Sequence, residues 1–529
     1  MSGFDYIICG GGSAGCVLAT ELARDPARRV LVIESGRRDS NPWIHIPATF
    51  FRVLRGGRDA ITYASEPEPG LGGRPCLVPQ GHVLGGGSSV NAMIYIRGQA
   101  RDYDDWAAMG CAGWDWAQVL PVFRALEGNE VHGEPLHGRN GPLTVSGPRH
   151  RHPLSEAFLA ASQQSGLPLN DDFNGTEQEG MGFYQTTTRG GRRCSAAVAF
   201  LHPALRRGNV TLLTGARVDR VLIEGGQARG VRLVDGRQIE AREEVVLCAG
   251  ALATPLILMR SGLGPAAMLQ AQGVPVLADL PGVGANYQDH MAVPVEAETR
   301  APISTFGQDR GLRALRHMLR YLAGRRGLMT SNIIEAGGFV DTDGDGRPDI
   351  QFHMLPGFAG APDIPPIEGH GISFSVCVLR PKARGHLALT SRDPRAQGRL
   401  HAGVLDNEAD IATTLRGLRL ALSLLEQPAL KTILGDRRQP RPGALDDTAL
   451  INHVRASAKT VYHPAGTARM GHMDDSRAVL DPRLRLRGIR SLRVADASAM
   501  PAIVSGNTNA PCMMIGARAA HFISEEETA

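Results

Sequence analysis

Four stretches carry residue types whose spacing can do chemistry. Gly10, Gly12 and Gly15 form a G-x-G-x-x-G turn between an apolar run, Phe4 to Cys9, and a helical pattern that continues to Ala23. A second apolar run, Val30 to Ile33, ends on Glu34, about twenty residues past the last glycine, which is the order of a dinucleotide-binding βαβ unit. Gly10 allows the tight turn, Gly12 lets a pyrophosphate approach the backbone, and Gly15 lets helix and strand pack. The helix N-terminus, with Ser13 and Ala14, offers unpaired N–H groups to phosphates, and Glu34 can accept ribose hydroxyls. The second stretch is the Gly- and Ser-rich run Gly81 to Met93. It cannot pack a core, but it can bring backbone N–H groups and small hydroxyls against a flat or charged ligand. The third puts His463 in Thr460 to Thr467, a β-like approach to a Pro-Gly turn. The fourth is a strand ending in Asp496-Ala497, followed by Ser505 to Pro511, in which Asn507 would open a helix with its N–H groups aimed at an anion.

Composition narrows the class. The chain has 529 residues, 43% hydrophobic and 21% charged, with a net charge of +4, which suits a soluble protein of two or more substructures. So small a charge gives no case for nucleic acid, which needs basic residues massed on one face. The eight cysteines are scattered with no C-x-x-C pair, the pattern of buried reduced thiols rather than of a disulfide frame or a zinc site. No apolar run approaches the ~20 residues of a membrane span and none reads as a cleavable leader, so a cytoplasmic protein is expected.

The elements that must position these residues follow in order. Trp106, Trp114, Trp116 and Phe123 read as helices packed on the first domain. A hairpin series is expected from Asn209, with Val210 to Leu213 first and Val218 to Ile223 next. Glu244 to Gly250 reads as a buried strand opening a helix through Thr254 to Arg260. Beyond 292 the pattern turns to β-like alternation. Segment 310–326 is an amphipathic basic helix with Leu312, Leu315, Leu319 and Leu322 on one side, read as a lid first and as a peripheral membrane contact second. Asp341 to Asp349 resembles half a calcium loop, but its closing acid would fall on Phe352, so the ligand set fails and a polar hairpin turn is expected; no metal site is assigned.

The ordered motifs, with Gly250 to Gly264, resemble the glucose–methanol–choline (GMC) family of FAD-dependent oxidoreductases over nearly the whole chain. Asn174-Gly175, Arg192 to Ser195 and Pro348 to His353 resemble its choline-dehydrogenase-like and sorbose-dehydrogenase-like branch. The resemblance implies an α/β fold (α+β overall): a Rossmann-like FAD-binding domain of 1–150, 186–292 and 455–529, and a discontinuous substrate-binding domain of 151–185 and 293–454 built on an antiparallel sheet with helices. It implies oxidation of an alcohol CH–OH group by hydride transfer to flavin, with His463 as general base and Asn507 orienting the substrate oxygen. Gly10, Gly12, Ser13, Ala14, Gly15 and Glu34 would hold the adenosine and pyrophosphate. Val83, Gly86, Ser88, Asn91, Ala92 and Met93 would run under the isoalloxazine, Val218 would meet the adenine, and Asp496 and Ala497 the ribityl chain. Thr508 and the helix beside it would stabilise reduced flavin.

Two departures carry expectations of their own. Val90 stands where choline oxidase relatives have a histidine bonded to the flavin, so FAD is expected to be non-covalent. Leu379 precedes Arg380-Pro381 where photodecarboxylases have cysteine. Other readings stay open: choline dehydrogenase proper, an oxidase using oxygen, a non-redox FAD-containing lyase, an NAD-dependent dehydrogenase using the first βαβ unit alone, or a non-catalytic flavin scaffold. Glu335 could face a cationic headgroup or be a surface or sheet-edge carboxylate. The acceptor, oxygen or a quinone or another carrier, and the oligomeric state are not legible.

Overall fold

A computed structural model describes residues 3–360 and 364–528. Its first sheet explains the apolar runs. Phe4–Cys9 lies between Val30–Glu34 and Gln238–Leu247, parallel to both, with Val210–Thr214 outside Val30–Glu34 and Leu492–Val494 outside Gln238–Leu247. Strands so paired are covered on both faces, which is why VLVIE is buried at every position rather than at alternate ones. The expected hairpin series begins one strand late. Val210–Thr214 runs parallel to Val30–Glu34, and the antiparallel series is Val218–Glu224, Gln227–Leu233 and the start of Gln238–Leu247. A parallel partner distant in the chain leaves no turn signal beside it.

Two helices cover this sheet where it matters for function. Ser13–Leu22 follows the glycine turn, and the C-terminal helix Asn509–Thr528 lies along it. They approach closely because position 516 is glycine: a Cβ there would stand 2.4 Å from the carbonyl oxygen of Ala14. Trp106 of helix Ala100–Ala108, Trp114 of the loop after it, and Trp116 and Phe123 of helix Trp116–Leu126 form the expected aromatic cluster, joined by Tyr103.

The second sheet is antiparallel, in the order Leu434–Gln439, Met291–Thr299, Gly371–Val378, Ile350–Leu355, Ala336–Val340, Gly180–Phe183. Helix Glu408–Leu425 packs on one face, with Gly417 against Ile350 and Val376. The side-chain period of two then sends Ile350, Phe352 and Met354 toward the helices and Gln351 and His353 to the other face. Lys459–Thr460 still pairs with Met291–Ala292 of this sheet, so the chain leaves it a few residues past 455. The 341–349 loop joins adjacent strands as a polar hairpin turn, in which Asp341 accepts N–H bonds from Asp343, Gly344 and Gly346. Among the described residues no helix is long and apolar enough to cross a membrane.

Candidate active site

The carboxyl ends of the parallel strands open into a cavity of ≈ 400 Å³, where ligands of open α/β sheets bind. Against the first sheet it is lined by Gly10, Gly12, Glu34, Val218, Gly250 and Asp496; against the second, by Met93, His353, Lys459, His463 and Asn507. Ser13, Ala14, Gly86, Asn91, Ala92, Ala497 and Thr508 complete the expected residues in its wall.

Three features fit an anionic dinucleotide. A Cβ at Gly12 would meet nothing closer than 4.0 Å, and at Gly87 and Gly250 nothing within 4 Å, so these glycines leave room for a ligand at the backbone. Helix Ser13–Leu22 has no side-chain cap, which leaves its N–H groups for a phosphate, and Ser13 Oγ donates to Asn509 Oδ1 at 2.8 Å, drawing a second helix start to the cavity. Behind Asn91 lies a buried cation that, among the described residues, has no carboxylate beside it. Arg193 donates from Nε to Ile44 O (2.7 Å) and from Nη1 to Ser88 O (3.1 Å) and Asn91 Oδ1 (2.7 Å), while its Nη2 has no partner. Burial lowers its pKa to about 9, so it stays charged at neutral pH.

Several expected contacts take another role. Gly15 stands behind the wall, because its Cβ would fall 2.0 Å from Gly10 O; Gly10 itself sits at φ +119° with Cys248 O 2.2 Å from its Cβ position. Val83 is buried with Ile44, Val53 and Val90 and does not reach the cavity. Ser88 Oγ donates to Gly85 O (2.6 Å) and accepts from Ala196 N (2.9 Å), so it braces the loop instead of touching a ligand. Glu34 accepts from Gly11 N (2.9 Å) and Gly36 N (2.7 Å), so it fixes the glycine turn and keeps spare lone pairs toward the cavity. Asp496 is fully engaged: Oδ1 accepts from Ser498 N and Oγ, and Oδ2 from Gly250 N and Thr254 Oγ1. It ties the Gly250 turn to the 497–499 turn within the cavity wall.

At the other end one chain of hydrogen bonds fixes the state of His463. His290 Nε2 lies 2.9 Å from Leu379 O, which only accepts, so this nitrogen carries the proton. Burial lowers the His290 pKa to about 4, so the ring is neutral and its Nδ1 is a bare lone pair. His463 Nδ1 lies 3.0 Å from that lone pair and therefore donates to it. His463 Nε2 is left unprotonated, 3.4 Å from Asn507 Nδ2, and Asn507 Oδ1 accepts from Gln351 Nε2 at 3.2 Å. Burial first, then His290 and His353, hold the His463 pKa well below the usual histidine value.

The backbone of this corner is held as firmly as its rings. Asp289 accepts from His463 N (2.8 Å), Tyr287 Oη (3.0 Å) and Thr460 Oγ1. Burial raises its pKa to about 6, against these bonds. Tyr462 has φ +71° and Met93 has φ +59°, left-handed backbone that costs non-glycine residues about 1–3 kcal/mol each. Both adjoin or line the site, and both are held by side-chain acceptors: Thr460 Oγ1 for Tyr462 N, Asn91 Oδ1 for Met93 N.

Sequence reasoning missed His290, Gln351, Arg193 and Lys459. Asp289-His290 stood in a plain loop, and nothing local signals a partner 173 residues away. The alternation of Ile350 to Leu355 could have singled out Gln351 and His353 as polar residues on a buried strand. Glu335 faces neither a headgroup nor solvent. It is buried and accepts from His152 N and Ser331 Oγ, beside His150 Nδ1 at 2.7 Å, and it does not line the cavity.

Comparison with known proteins bears on this site. Two GMC oxidoreductase family models match residues 4–292 and 381–516. An alcohol dehydrogenase (acceptor) of Pseudomonas putida is 39% identical, covering 98% of this chain and 95% of that protein. Human mitochondrial choline dehydrogenase is 40% identical, covering 98% and 89%. Among solved structures, pyridoxine 4-oxidase from Mesorbium loti superposes with a TM-score of 0.89 at 31% identity over 99% of both chains. Formate oxidase from Aspergillus oryzae gives 0.92 at 26%, over 100% of this chain and 99% of that one.

Proposed function

The chain belongs to the GMC oxidoreductase family and is an FAD-dependent dehydrogenase acting on alcohols, and we propose that His463 is its base and that its alcohol carries no positive charge. The observation that carries the first part is the run of hydrogen bonds from Leu379 O through His290 to His463, which leaves Nε2 bare beside Asn507. An alcohol oxygen within reach of both groups gives its proton to His463 Nε2 and accepts from Asn507 Nδ2. Asn507 cannot take a proton, so it orients the oxygen and offsets its growing negative charge. Gln351 holds the Asn507 amide in the orientation that donates. Bound FAD supplies the hydride acceptor, and the protein supplies position and electrostatics.

The second part rests on the lining. Among the described residues its carboxylates are Glu34 and Asp496, both at the first sheet, while the second-sheet end carries Lys459, whose Nζ donates to Gly360 O at 2.7 Å. Phe50, Phe51, Leu54 and Ile334 supply the apolar part. Phe50, Phe51 and Tyr462 offer aromatic faces to a quaternary ammonium, but no carboxylate among the described lining residues joins them at that end, so a neutral alcohol suits the cavity better than choline.

The test is anaerobic mixing of the yellow protein with neutral alcohols and with choline while following flavin absorbance. The wild type is expected to bleach with a neutral alcohol, and His463→Ala to keep its FAD but bleach ~10²–10⁴-fold more slowly. Bleaching of the variant at the native rate would remove His463 from the role, and faster bleaching by choline would remove the substrate assignment. Slow return of colour in air would support an acceptor other than oxygen.

A further inference from the structure

The helix Gly311–Gly324 faces solvent with its leucines. Leu312 is 84% exposed, Leu315 53%, Leu319 57% and Leu322 71%. Their spacing of three, four and three residues puts them on one narrow stripe. The buried face is the opposite one, where Tyr321 donates its hydroxyl to Gly191 O at 3.2 Å. The helix is therefore docked by one side and displays an apolar ridge on the other. Ile303, in the segment leading to it, is 39% exposed as well.

Charge says what fits the ridge. Segment 310–326 holds six arginines, at 310, 313, 316, 320, 325 and 326, and no acid. Among the described residues Arg313, Arg316, Arg320 and Arg326 have no ion-pair partner, whereas most arginines nearer the core find a carboxylate or a carbonyl. On the helix wheel Arg313, Arg316 and Arg320 fall on one flank of the leucine stripe. A second copy of the chain would bring six like charges against six in an isologous contact. We infer that this helix lies on the surface of an anionic phospholipid leaflet, its leucines in the acyl boundary and its arginines on the phosphates, as interfacial helices do.

The position agrees with such use. The turn Leu328–Thr330 after the helix contacts Pro47–Thr49, which leads into Phe50–Arg55, and Phe51 and Leu54 of that segment line the cavity. A protein seated by its leucine ridge thus brings one wall of its cavity near the lipid surface. The inference does not depend on which alcohol is oxidised.

The experiment is flotation of the holoenzyme with vesicles of phosphatidylcholine, with and without one third phosphatidylglycerol. Binding is expected only with the anionic lipid and weakened by raised salt, because screening shortens the reach of surface charges. Leu315→Glu/Leu319→Glu is expected to lower the bound fraction at least ~10-fold. Because these side chains are exposed, its melting temperature, flavin spectrum and alcohol-driven bleaching should stay unchanged. Arg313→Gln/Arg316→Gln/Arg320→Gln, which keeps the leucines, should also lose binding to anionic vesicles. Equal binding to neutral vesicles, no binding to either, or retention by both variants would overturn the assignment. So would a concentration-dependent dimer that the glutamate variant dissolves.

Discussion

Replacing His290 by alanine tests the proton-state argument directly. His463 Nδ1 would lose the lone pair it donates to at 3.0 Å, supplied by a fully buried ring. A buried N–H deprived of its acceptor costs ~1–3 kcal/mol. The bias toward the form with Nε2 bare falls by that amount, and the imidazolium formed on proton uptake loses a charge-assisted bond. At 1.36 kcal/mol per tenfold, flavin reduction should slow about 5- to 150-fold, less than for loss of His463 itself. His290→Gln can donate to Leu379 O and accept from His463 Nδ1, so it should recover most of the rate. The double variant with His463→Ala should be no slower than His463→Ala alone, because His290 acts through that ring. The assay is anaerobic rapid mixing with a saturating neutral alcohol, with flavin content and melting temperature measured on each variant. A native rate in His290→Ala, or an additive double variant, would refute the reasoning.

Three further outcomes are expected. Because burial and two neighbouring histidines hold the His463 pKa below its usual value, the acid limb of flavin reduction should lie below pH ~6.5, the value of a free histidine; a limb above neutrality would contradict it. The same shift makes the folded state bind fewer protons than the unfolded one, so its contribution to stability is present above the unfolded value and lost as pH falls through the folded one. Lys459→Met should raise the rate with choline relative to a neutral alcohol by at least ~10-fold, because one like-charge repulsion at an effective dielectric near 20 amounts to ~4 kcal/mol at ~4 Å and falls off only inversely with distance; an unchanged ratio of the two kcat/KM values would remove Lys459 from substrate selection. Gly15→Ala would force a Cβ to 2.0 Å from Gly10 O, so it should purify with little flavin, read from the ratio of visible to ultraviolet absorbance.

What the sequence makes legible is what its neighbours determine. The turn from Gly10 to Gly15, the acid at Glu34 and the helix after Gly250 depend on residues within about twenty positions, and all read correctly as elements. What escaped is set by distant partners. Val210–Thr214 is a parallel strand because Val30–Glu34 lies beside it, and no local pattern reports that. Glu335, just before the strand Ala336–Val340, is not read from its own stretch because His152 N and Ser155 Oγ, about 180 positions away, donate to it beside the local Ser331. The helix expected at Asn507 opens at Asn509, which leaves Asn507 free to face His463. For Asp496 the place in the cavity wall was legible, but the four protein donors on its carboxylate were not.

The first sheet has a consequence for how the protein is made. Its cofactor edge is assembled from residues 4–9, 30–34, 238–247 and 492–494, and Ser13 bonds across 496 positions to Asn509. A ribosome that has delivered the glycine turn still has most of the chain to synthesise before the opposite wall exists. Until then Gln238–Leu247 presents an open edge, the kind of surface that pairs with other chains. Flavin loading is thus expected to close biogenesis, and a polypeptide halted before residue 492, which carries the first βαβ motif but not the opposite wall, is expected to come out colourless and prone to aggregate.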